Sequence, residues 1–212
     1  SISASEASKI SSVCGQEKVS WCMPYFDNTP IQLTDKWDYD VLFVGSNHDA
    51  NVVSLQWFIQ AVYEPLLYSQ GVTLRVVGSV GSIVDIHRFG GLVDVTGRVA
   101  DLSPHYAKCG VVALPIIAGA GVPIKVLDAM GRGVPFVVTD FPSAAMSFNG
   151  EIPVARNPNE MAQQILSCLA DQDERKGRSE IGLDFAAKHS SRTCYFSQWD
   201  KILAQLTGSD GG

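Results

Sequence analysis

The chain has 212 residues, a formal charge of −6 at neutral pH and 46% hydrophobic residues, a composition typical of one generous globular domain. The acidic balance argues against a nucleic acid as partner, because a phosphate backbone calls for a basic face. No apolar run approaches the ~20 residues that a membrane-spanning helix needs, and the N-terminal stretch lacks the charged-then-apolar pattern of a signal peptide.

Five cysteines are scattered along the chain, and no two of them are spaced as C-x-x-C: Cys14, Cys22, Cys109, Cys168 and Cys194. The histidines are equally dispersed, so the sequence gives little support for a structural zinc site. We interpret the cysteines as reduced thiols and expect a cytoplasmic protein without a bound metal.

The first 34 residues show no self-contained pair of elements. The regular pattern begins with a continuous apolar run, DVLFVGS (40–46), which predicts a strand buried on both faces. We expect Asp49 or Asn51 to cap the helix that follows over NVVSLQWFIQAVYEPLL, and Pro65 to kink or tighten the end of that helix.

Four further strands and a weak sixth follow. They are predicted over VTLRVVGS (72–79), LVDVTGRV (92–99), VVALPI (111–116), PFVVTD (135–140) and EIPVA (151–155). Short helices are predicted over GSIVDIHRF and over ADLSPHYAKC, with Asp101 or Ser103 as the cap of the second. Three longer helices are predicted over NPNEMAQQILSCLADQ, DERKGRSEIGLDFAAKH and SRTCYFSQWDKILAQL. The alternation predicts an α/β fold with a Rossmann-like parallel sheet of about six strands and helices on both faces.

The stretch PIIAGAGVPIKVLDAM (115–130) connects the fourth strand to its helix. In an open parallel sheet, ligands bind beyond the carboxyl ends of the strands, where helix N-termini point. Gly119 and Gly121 permit a sharp turn and a close approach of the backbone to a ligand, and Pro123 suits the first helical turn. The N–H groups and the dipole of the helix then predict an anion site.

Lys125 stands in the first turn of this helix, where a cation opposes the helix dipole. A bound phosphate removes the conflict, because it accepts hydrogen bonds from both the lysine and the N–H groups. Asp128 lies one turn later on the same face, where a carboxylate can accept hydrogen bonds from a ribose diol. Taken alone, each residue is explained by a solvated helix face, but together at the end of a strand they predict a nucleotide site.

Motifs for other chemistries are absent. The sequence has no G-x-x-x-x-G-K-[ST] P-loop, no G-x-G-x-x-G after the first strand and no G-x-S-x-G elbow. No acid closes the second strand to hold an adenosine ribose, which weakens an NAD interpretation. A Rossmann-type oxidoreductase and a sugar-nucleotide epimerase remain as less favoured alternatives.

The string G-x-G-V-x-I-K-V-L-[DE]-A-M-x-x-G-x-P-x-V-x-T is matched over residues 119–139, and LFVGSNHDANVVSLQWF, LRVVGS and VDVTGRVADLSPHYAKC precede it in order. Over about residues 40–206 the chain thereby resembles the C-terminal, nucleotide-sugar-binding domain of GT-B glycosyltransferases, near the family 4 (group 1) branch. The resemblance implies a hexosyltransferase of which this chain is the donor-binding half. The acceptor-binding N-terminal domain would be supplied in cis or as a partner.

The resemblance also implies which residues bind the donor. They are Gly45, Ser46 and Asn47 after the first strand, Arg98 and Val99 beside the base, and Gly119, Ala120, Gly121, Val122, Lys125 and Asp128. Lys125 would neutralise the departing diphosphate and Asp128 would hold the ribose hydroxyls, so both are expected to serve catalysis. The donor is expected to be a UDP-, GDP- or dTDP-sugar, bound as a substrate without a cofactor or a metal.

Further expectations follow from the same resemblance. Transfer is expected to be retaining, to a saccharide, lipid or polysaccharide acceptor in polysaccharide biosynthesis. The protein is expected in the cytoplasm, with peripheral contact to the inner face of the membrane through the missing half. Residues 1–34 are interpreted as a remnant or linker from the N-terminal domain, residues 35–190 as the nucleotide-sugar-binding domain and residues 191–212 as a C-terminal helix with a flexible tail.

Three departures from the family pattern leave a second interpretation open. Asp128 stands where a glutamate is common, and Ala120 occupies the count of an upstream acid that touches the sugar. No arginine or lysine follows the first strand around Ser46 and Asn51. Lys125 would then be the one strong cation on the diphosphate. The alternative function is therefore a catalytically inactive nucleotide-binding or regulatory module.

Overall fold

The computed structural model describes residues 4–15, 19–26, 29–119, 121–146 and 148–207. Six strands form one parallel sheet: β1 (Tyr39–Val44), β2 (Leu74–Val77), β3 (Val93–Thr96), β4 (Cys109–Leu114), β5 (Phe136–Thr139) and β6 (Val154–Ala155). Each strand overlaps the apolar run that predicted it. The predicted α/β fold with a six-stranded Rossmann-like sheet is thereby confirmed.

The strands lie in the order β3–β2–β1–β4–β5–β6. The chain therefore builds the sheet outward from β1 in one direction and then outward from β4 in the other. Strands β4 and β5 are buried along their whole length, as expected for parallel strands covered on both faces. A crevice forms beyond the carboxyl ends of β1 and β4, because their connections leave in opposite directions.

The helices cover both faces of the sheet. They are α1 (Ala4–Cys14), α2 (Asp49–Trp57), α3 (Ser103–Ala107), α4 (Ile124–Gly131), α5 (Ser143–Met146), α6 (Pro158–Ala170), α7 (Gln172–His189) and α8 (Arg192–Thr207). Two hydrophobic clusters fill the spaces between sheet and helices. The first joins the sheet to α2, its continuation and α6, and the second joins it to α4 and α7. Helix α5 was not predicted.

The helix that starts with α2 continues well beyond Trp57. A π-helical stretch (Phe58–Leu67) and a 3-10 turn (Tyr68–Gln70) follow without a break. Pro65 lies inside the π-helical stretch; the helix tightens only after it, in the 3-10 turn Tyr68–Gln70, and the kink stays a prediction. A proline clashes with the carbonyl four residues earlier, and the wider turn of a π-helix relieves that clash.

Helix α2 begins with a different cap from the predicted one. His48, in extended backbone geometry, is the N-cap, and its Nδ1 accepts a hydrogen bond from the Ala50 N–H at 3.3 Å. The predicted caps, Asp49 and Asn51, lie inside the first turn instead. The Asn51 side chain does not cap the helix and makes its contacts outside it.

The segment between β2 and β3 is not the single short helix that was predicted. It forms two 3-10 turns, Ser79–Ile83 and Ile86–Phe89. Asp85 separates them, because its carboxylate accepts a hydrogen bond from the His87 N–H at 3.2 Å and starts the second turn anew.

Part of the chain before β1 packs against the face covered by α4 and α7. Met23 is buried in the hydrophobic cluster of that face. The Ile31 N–H donates to the Arg132 carbonyl, and the Ser190 hydroxyl donates to the Pro24 carbonyl, each at 2.8 Å. This stretch therefore contributes to the core of the sheet domain, while the predicted domain boundaries stay predictions.

The carboxyl ends of β1 and β2 approach each other at two glycines. Gly78 has a φ of +106°, and a Cβ at this position would lie 2.1 Å from the Gly45 carbonyl oxygen. The Gly45 N–H donates to the Val77 carbonyl at 3.0 Å, and the Gly45 carbonyl accepts from the Val80 N–H at 3.3 Å. This close contact fixes where the loop after β1 begins.

Replacing Gly78 with alanine is expected to lower the free energy of unfolding by about 3 kcal/mol or more, because a side chain would meet backbone in a strained conformation. Gly71→Ala is a matched control: its φ is also positive, at +76°, but nothing lies within 4 Å of the added Cβ. The control is expected to lose about 1–2 kcal/mol. Denaturant unfolding measures both, and equal losses would contradict the steric argument.

Candidate functional site

A cleft of about 910 Å³ opens at the carboxyl ends of β1 and β4, where the strand order reverses. Most of the residues that the sequence predicted for donor binding line it: Gly45, Ser46, Arg98, Val99, Gly119, Val122, Lys125 and Asp128. Asn47 and Gly121 are not among the lining residues, and Ala120 lies outside the described residues. The fold thus brings together residues from three separate loops and one helix.

The turn after β4 requires glycine at two positions. Gly119 has a φ of +124° and Gly121 a φ of +80°, in a region that residues with a side chain rarely adopt. A Cβ on Gly119 would lie 3.6 Å from the Ala50 Cβ, so the turn passes close to the start of α2. The sharp turn predicted for this stretch is present, and it forms one wall of the cleft.

Helix α4 begins at Ile124, and no side chain caps its first N–H groups. Pro123 is the N-cap, with a φ of −73° and a ψ of 102°, so the prediction that it lies in the first helical turn is wrong by one position. The extended backbone of an N-cap suits the fixed φ of proline. The uncapped helix end lines the cleft and gives it partial positive charge.

Lys125 places its ammonium in the wall of the cleft. Its Nζ donates to the Asn51 Oδ1 at 2.7 Å and lies 5.1 Å from the centre of the Phe43 ring. Burial lowers the pKa of Lys125 to about 8, and no carboxylate among the described residues pairs with it to raise that pKa again. Even partial burial of an ammonium without a counter-ion is costly, and such a cost is typical of a functional position.

Asp128, one turn further along α4, is already held by neighbouring donors. The Arg132 Nε donates to the Asp128 Oδ1 at 2.8 Å, and the exposed fractions of the two side chains are only 20% and 16%. The hydroxyl of Tyr106 also hydrogen-bonds to Asp128, and burial together with the aspartate's charge raises the pKa of Tyr106. The carboxylate therefore has a fixed orientation before any ligand binds.

The network around Asp128 extends to the loop after β3. The Arg132 Nη1 donates to the Ser103 hydroxyl at 2.9 Å, and Asp101 accepts hydrogen bonds from the Ser103 N–H and hydroxyl at 2.8 and 2.7 Å. These two hydrogen bonds lower the pKa of Asp101. Leu102 holds the N-cap position of α3, so the prediction of Asp101 or Ser103 as the N-cap is wrong.

The other predicted residues lie in the loops after β1 and β3. Arg98 is exposed, and Val99 packs against the second hydrophobic cluster. The Asn47 N–H donates to the Ser79 hydroxyl at 2.8 Å, which ties it to the 3-10 turn after β2. The loop after β1 therefore lines the cleft through Gly45 and Ser46.

Sequence reasoning missed three side chains of this site. Arg132 stands between two glycines and resembles a solvated loop residue, although its i,i+4 spacing from Asp128 was an available signal. Tyr106 lies in the short helix α3, where no local pattern indicated a role in the site. Asn51 was considered only as a helix cap, whereas its side chain contacts Lys125 from the neighbouring helix.

Two kinds of feature are absent from the part of the chain that the structure describes. No group of three or more histidine, cysteine, aspartate or glutamate side chains there could hold a metal ion. No helix among the described residues is long and apolar enough to cross a membrane.

A family model described as glycosyl transferases group 1 matches residues 38–171. This range contains all six strands, the cleft loops and helix α4. It also contains every residue that the sequence predicted for donor binding. A comparison with curated protein sequences gives no match.

Several solved glycosyltransferase structures share the fold of this chain. Sucrose-phosphate synthase from Thermosynechococcus elongatus has a TM-score of 0.62 and 14% identity, covering 97% of this chain and 57% of that one. HepE of Anabaena, in complex with UDP and glucose, has a TM-score of 0.57 and 17% identity, covering 97% and 52%. A glycosyltransferase from Rickettsia africae has a TM-score of 0.60 and 12% identity, covering 98% and 53%. The chain thus spans about half the length of these proteins, and the likeness shows the fold alone.

Replacing Arg132 with methionine is expected to lower the free energy of unfolding by about 1–3 kcal/mol, because Asp128 loses a charged hydrogen bond in a largely buried place. In a double-mutant cycle with Asp128→Asn, the two losses are expected to be less than additive. Lys176→Met is the control: its pair with Glu180 is 3.8 Å long and exposed, so no measurable change is expected. Additive losses in the cycle would contradict the pairing.

Proposed function

The chain belongs to the group 1 glycosyltransferases, and on that premise we propose that its cleft binds the nucleotide diphosphate of a sugar donor. The observation that carries the proposal is the Lys125 ammonium, partly buried beside an uncapped helix N-terminus with no carboxylate partner among the described residues. A phosphate group supplies the missing negative charge. It accepts hydrogen bonds from both the lysine and the first N–H groups of α4.

In this proposal the diphosphate lies between the glycine turn after β4 and the loop after β1. Gly119 and Gly45 line the cleft and let the backbone approach phosphate oxygens without an intervening Cβ. Gly121 and Val122 follow in the same turn and complete the wrap around the diphosphate and the sugar. Lys125 contributes the unit charge at this end of the cleft.

The nucleoside is proposed to extend from the phosphates towards the loop after β3. Asp128 accepts hydrogen bonds from the ribose hydroxyls, and Val99 and Arg98 border the base. Arg132 and Tyr106 already orient the Asp128 carboxylate. A carboxylate has about four acceptor positions, so hydrogen bonds from a ribose diol are compatible with those from the two protein donors.

The proposed reaction transfers a hexosyl group from the donor to a saccharide, lipid or polysaccharide acceptor, with retention at the anomeric carbon. As the bond between the sugar and the diphosphate breaks, negative charge accumulates on the phosphate oxygen that leaves. Lys125 and the α4 N-terminus stabilise that charge. Asp128 serves the reaction by holding the ribose, and the proposal includes no metal and no cofactor.

The acceptor is proposed to bind on a second domain, because the chain spans about half the length of the similar structures. Retention and a role in polysaccharide biosynthesis rest on the family resemblance. UDP is the first nucleotide to test, since HepE was solved with UDP and glucose, and the pneumococcal O-GlcNAc transferase GtfA with UDP and GlcNAc.

A nucleotide-binding module without chemistry is the second candidate function. It is favoured by the small number of uncommitted cations at the cleft: among the described lining residues, Arg132 is paired with Asp128 and Arg98 is exposed at the rim. The two functions differ in one assay. Binding of a nucleotide diphosphate, without transfer of labelled sugar when an acceptor-binding domain is restored in cis, identifies the second function.

Titration calorimetry with UDP, GDP, dTDP, ADP and CDP is expected to detect binding of one of them. Lys125→Ala is expected to weaken that binding by about 1.5–3 kcal/mol, because a charged hydrogen bond is lost. Lys108→Ala is the matched control, since Lys108 is exposed and pairs with Asp38 outside the cleft. Binding by none of the five, or equal binding by both variants, would contradict the proposed function.

The affinity for the nucleotide is expected to fall as the pH rises from about 7 to about 9. Binding requires the protonated form of Lys125, whose pKa is about 8, and the loss approaches about tenfold per pH unit above that pKa. A terminal phosphate has its second pKa at about 6, so the ligand's phosphate charge changes little in this window. Calorimetry across the window should show the fall in the wild type and a flat profile in Lys125→Ala; a flat wild-type profile would refute the role of the ammonium.

A further inference from the structure

Asn51 joins two elements of the cleft through a single side chain. Its Oδ1 accepts a hydrogen bond from the Lys125 Nζ at 2.7 Å. Its Nδ2 donates to the Ser46 carbonyl at 3.1 Å and lies 3.2 Å from the Ser46 hydroxyl. The amide therefore links the first turn of α4 to the loop after β1.

The donors and acceptors around Asn51 fix the orientation of its amide. An ammonium only donates, so the oxygen of the amide must face Lys125. The Ser46 carbonyl only accepts, so the NH₂ group must face the loop. An aspartate in this position would lose the donor to the loop, and an alanine would lose both hydrogen bonds. The side-chain amide satisfies both neighbours at once.

The neutrality of the amide has a consequence for the charge of the cleft. A carboxylate at this distance would pair with Lys125 and cancel its charge, whereas an amide holds the ammonium and leaves the charge in place. The other neighbours of Lys125 do not compensate its charge either. The Phe43 ring from β1 is uncharged, and Asp128 on the same helix pairs with Arg132.

The remaining charged groups that line the cleft or neighbour Asn51 are exposed, and the buried Tyr106 hydroxyl bonds to Asp128. Asp49, next to the N-cap of α2, is exposed to solvent, and His48 lies at the exposed rim of the cleft. Burial is accordingly the cause of the lowered pKa of Lys125, without a contribution from a nearby charge.

We propose that Asn51 is a positioning residue for diphosphate binding: it fixes the Lys125 ammonium against the loop after β1 and keeps its charge uncompensated. The inference rests on the proposed function of the cleft as a site for a nucleotide diphosphate. An ammonium has three N–H donors. One of them stays with Asn51, and the others are available to phosphate oxygens without a rearrangement of the lysine.

The first experiment measures Lys125 itself, in the full chain without a ligand. NMR of the lysine ε-carbon and ζ-nitrogen follows its titration in the wild type and in two variants, Asn51→Asp and Asn51→Ala. The aspartate is expected to raise the pKa of Lys125, because it pairs with the charged form. The alanine is expected to lower it, because the charged form loses an acceptor. Asn149→Asp adds the same charge at an exposed position outside the cleft and is expected to leave it unchanged.

The second experiment measures binding of UDP, and of inorganic pyrophosphate as the smaller probe, by the same proteins. Asn51→Asp is expected to weaken binding at neutral pH by about tenfold or more, because the ammonium is compensated and a negative charge now faces the phosphates. Its affinity is also expected to fall only at a higher pH than in the wild type. Asn51→Ala is expected to weaken binding less than Asn51→Asp does. Its affinity is expected to fall at a lower pH than that of the wild type. Thermal unfolding confirms that each variant is folded.

The outcomes separate this inference from the proposed function. If the wild type binds and both Asn51 variants keep its pH profile and affinity, Asn51 is not a positioning residue. A purely structural role is recognised by loss of stability without opposite shifts in the titration of Lys125, and it also overturns the inference. If the wild type binds neither UDP nor pyrophosphate, nor the other nucleotide diphosphates, the proposed function fails, while the NMR titration still judges the pairing of Asn51 with Lys125.

Discussion

The helices that follow β1 and β4 pack on opposite faces of the sheet, and the cleft depends on this divergence. Helix α2 covers one face and α4 the other, so their first turns are neighbours only at the carboxyl edge. The register of β1 on β4 pairs Val41 with Val111 and thereby sets the distance between the two helix starts. The hydrogen bond from Lys125 to Asn51 spans this divide, with one partner from each helix.

The partial burial of Lys125 costs stability in the free protein, and only part of that cost is offset. The Phe43 ring, 5.1 Å from the ammonium, gives a cation–π contact, and Asn51 gives one hydrogen bond. An apolar side chain at position 125, in the first turn of α4, would avoid this cost. A charge that is retained against local preference is explained when a bound anion stabilises it, since binding to the folded state alone stabilises that state.

The sequence was sufficient where the signal was local. Buried parallel strands are continuous apolar runs, so their positions followed directly, and the conflict of Lys125 with the helix dipole is visible in a single turn. Arg132 pairs with Asp128 at a local i,i+4 spacing, but its second hydrogen bond, to Ser103, depends on α3 lying beside α4, which no local pattern encodes. The π-helical hydrogen-bond pattern around Pro65 was not predicted, because no local sequence pattern distinguishes it from an α-helix. Asn51 resembled a cap because its true partner is 74 positions away in the chain.

The charged side chains at the two ends of the cleft differ in their partners: Asp128 has a charged partner and Lys125 a neutral one. At Asp128 the carboxylate is neutralised and oriented by Arg132 before a ligand binds, and its exposed fraction is only 16%. Its side chain is shorter than the glutamate common in the family, but a fixed carboxylate loses less conformational freedom on binding. At Lys125 a neutral amide holds the cation and leaves its charge in place. A ribose diol is neutral and a diphosphate is strongly charged, so each end matches the group proposed to bind there.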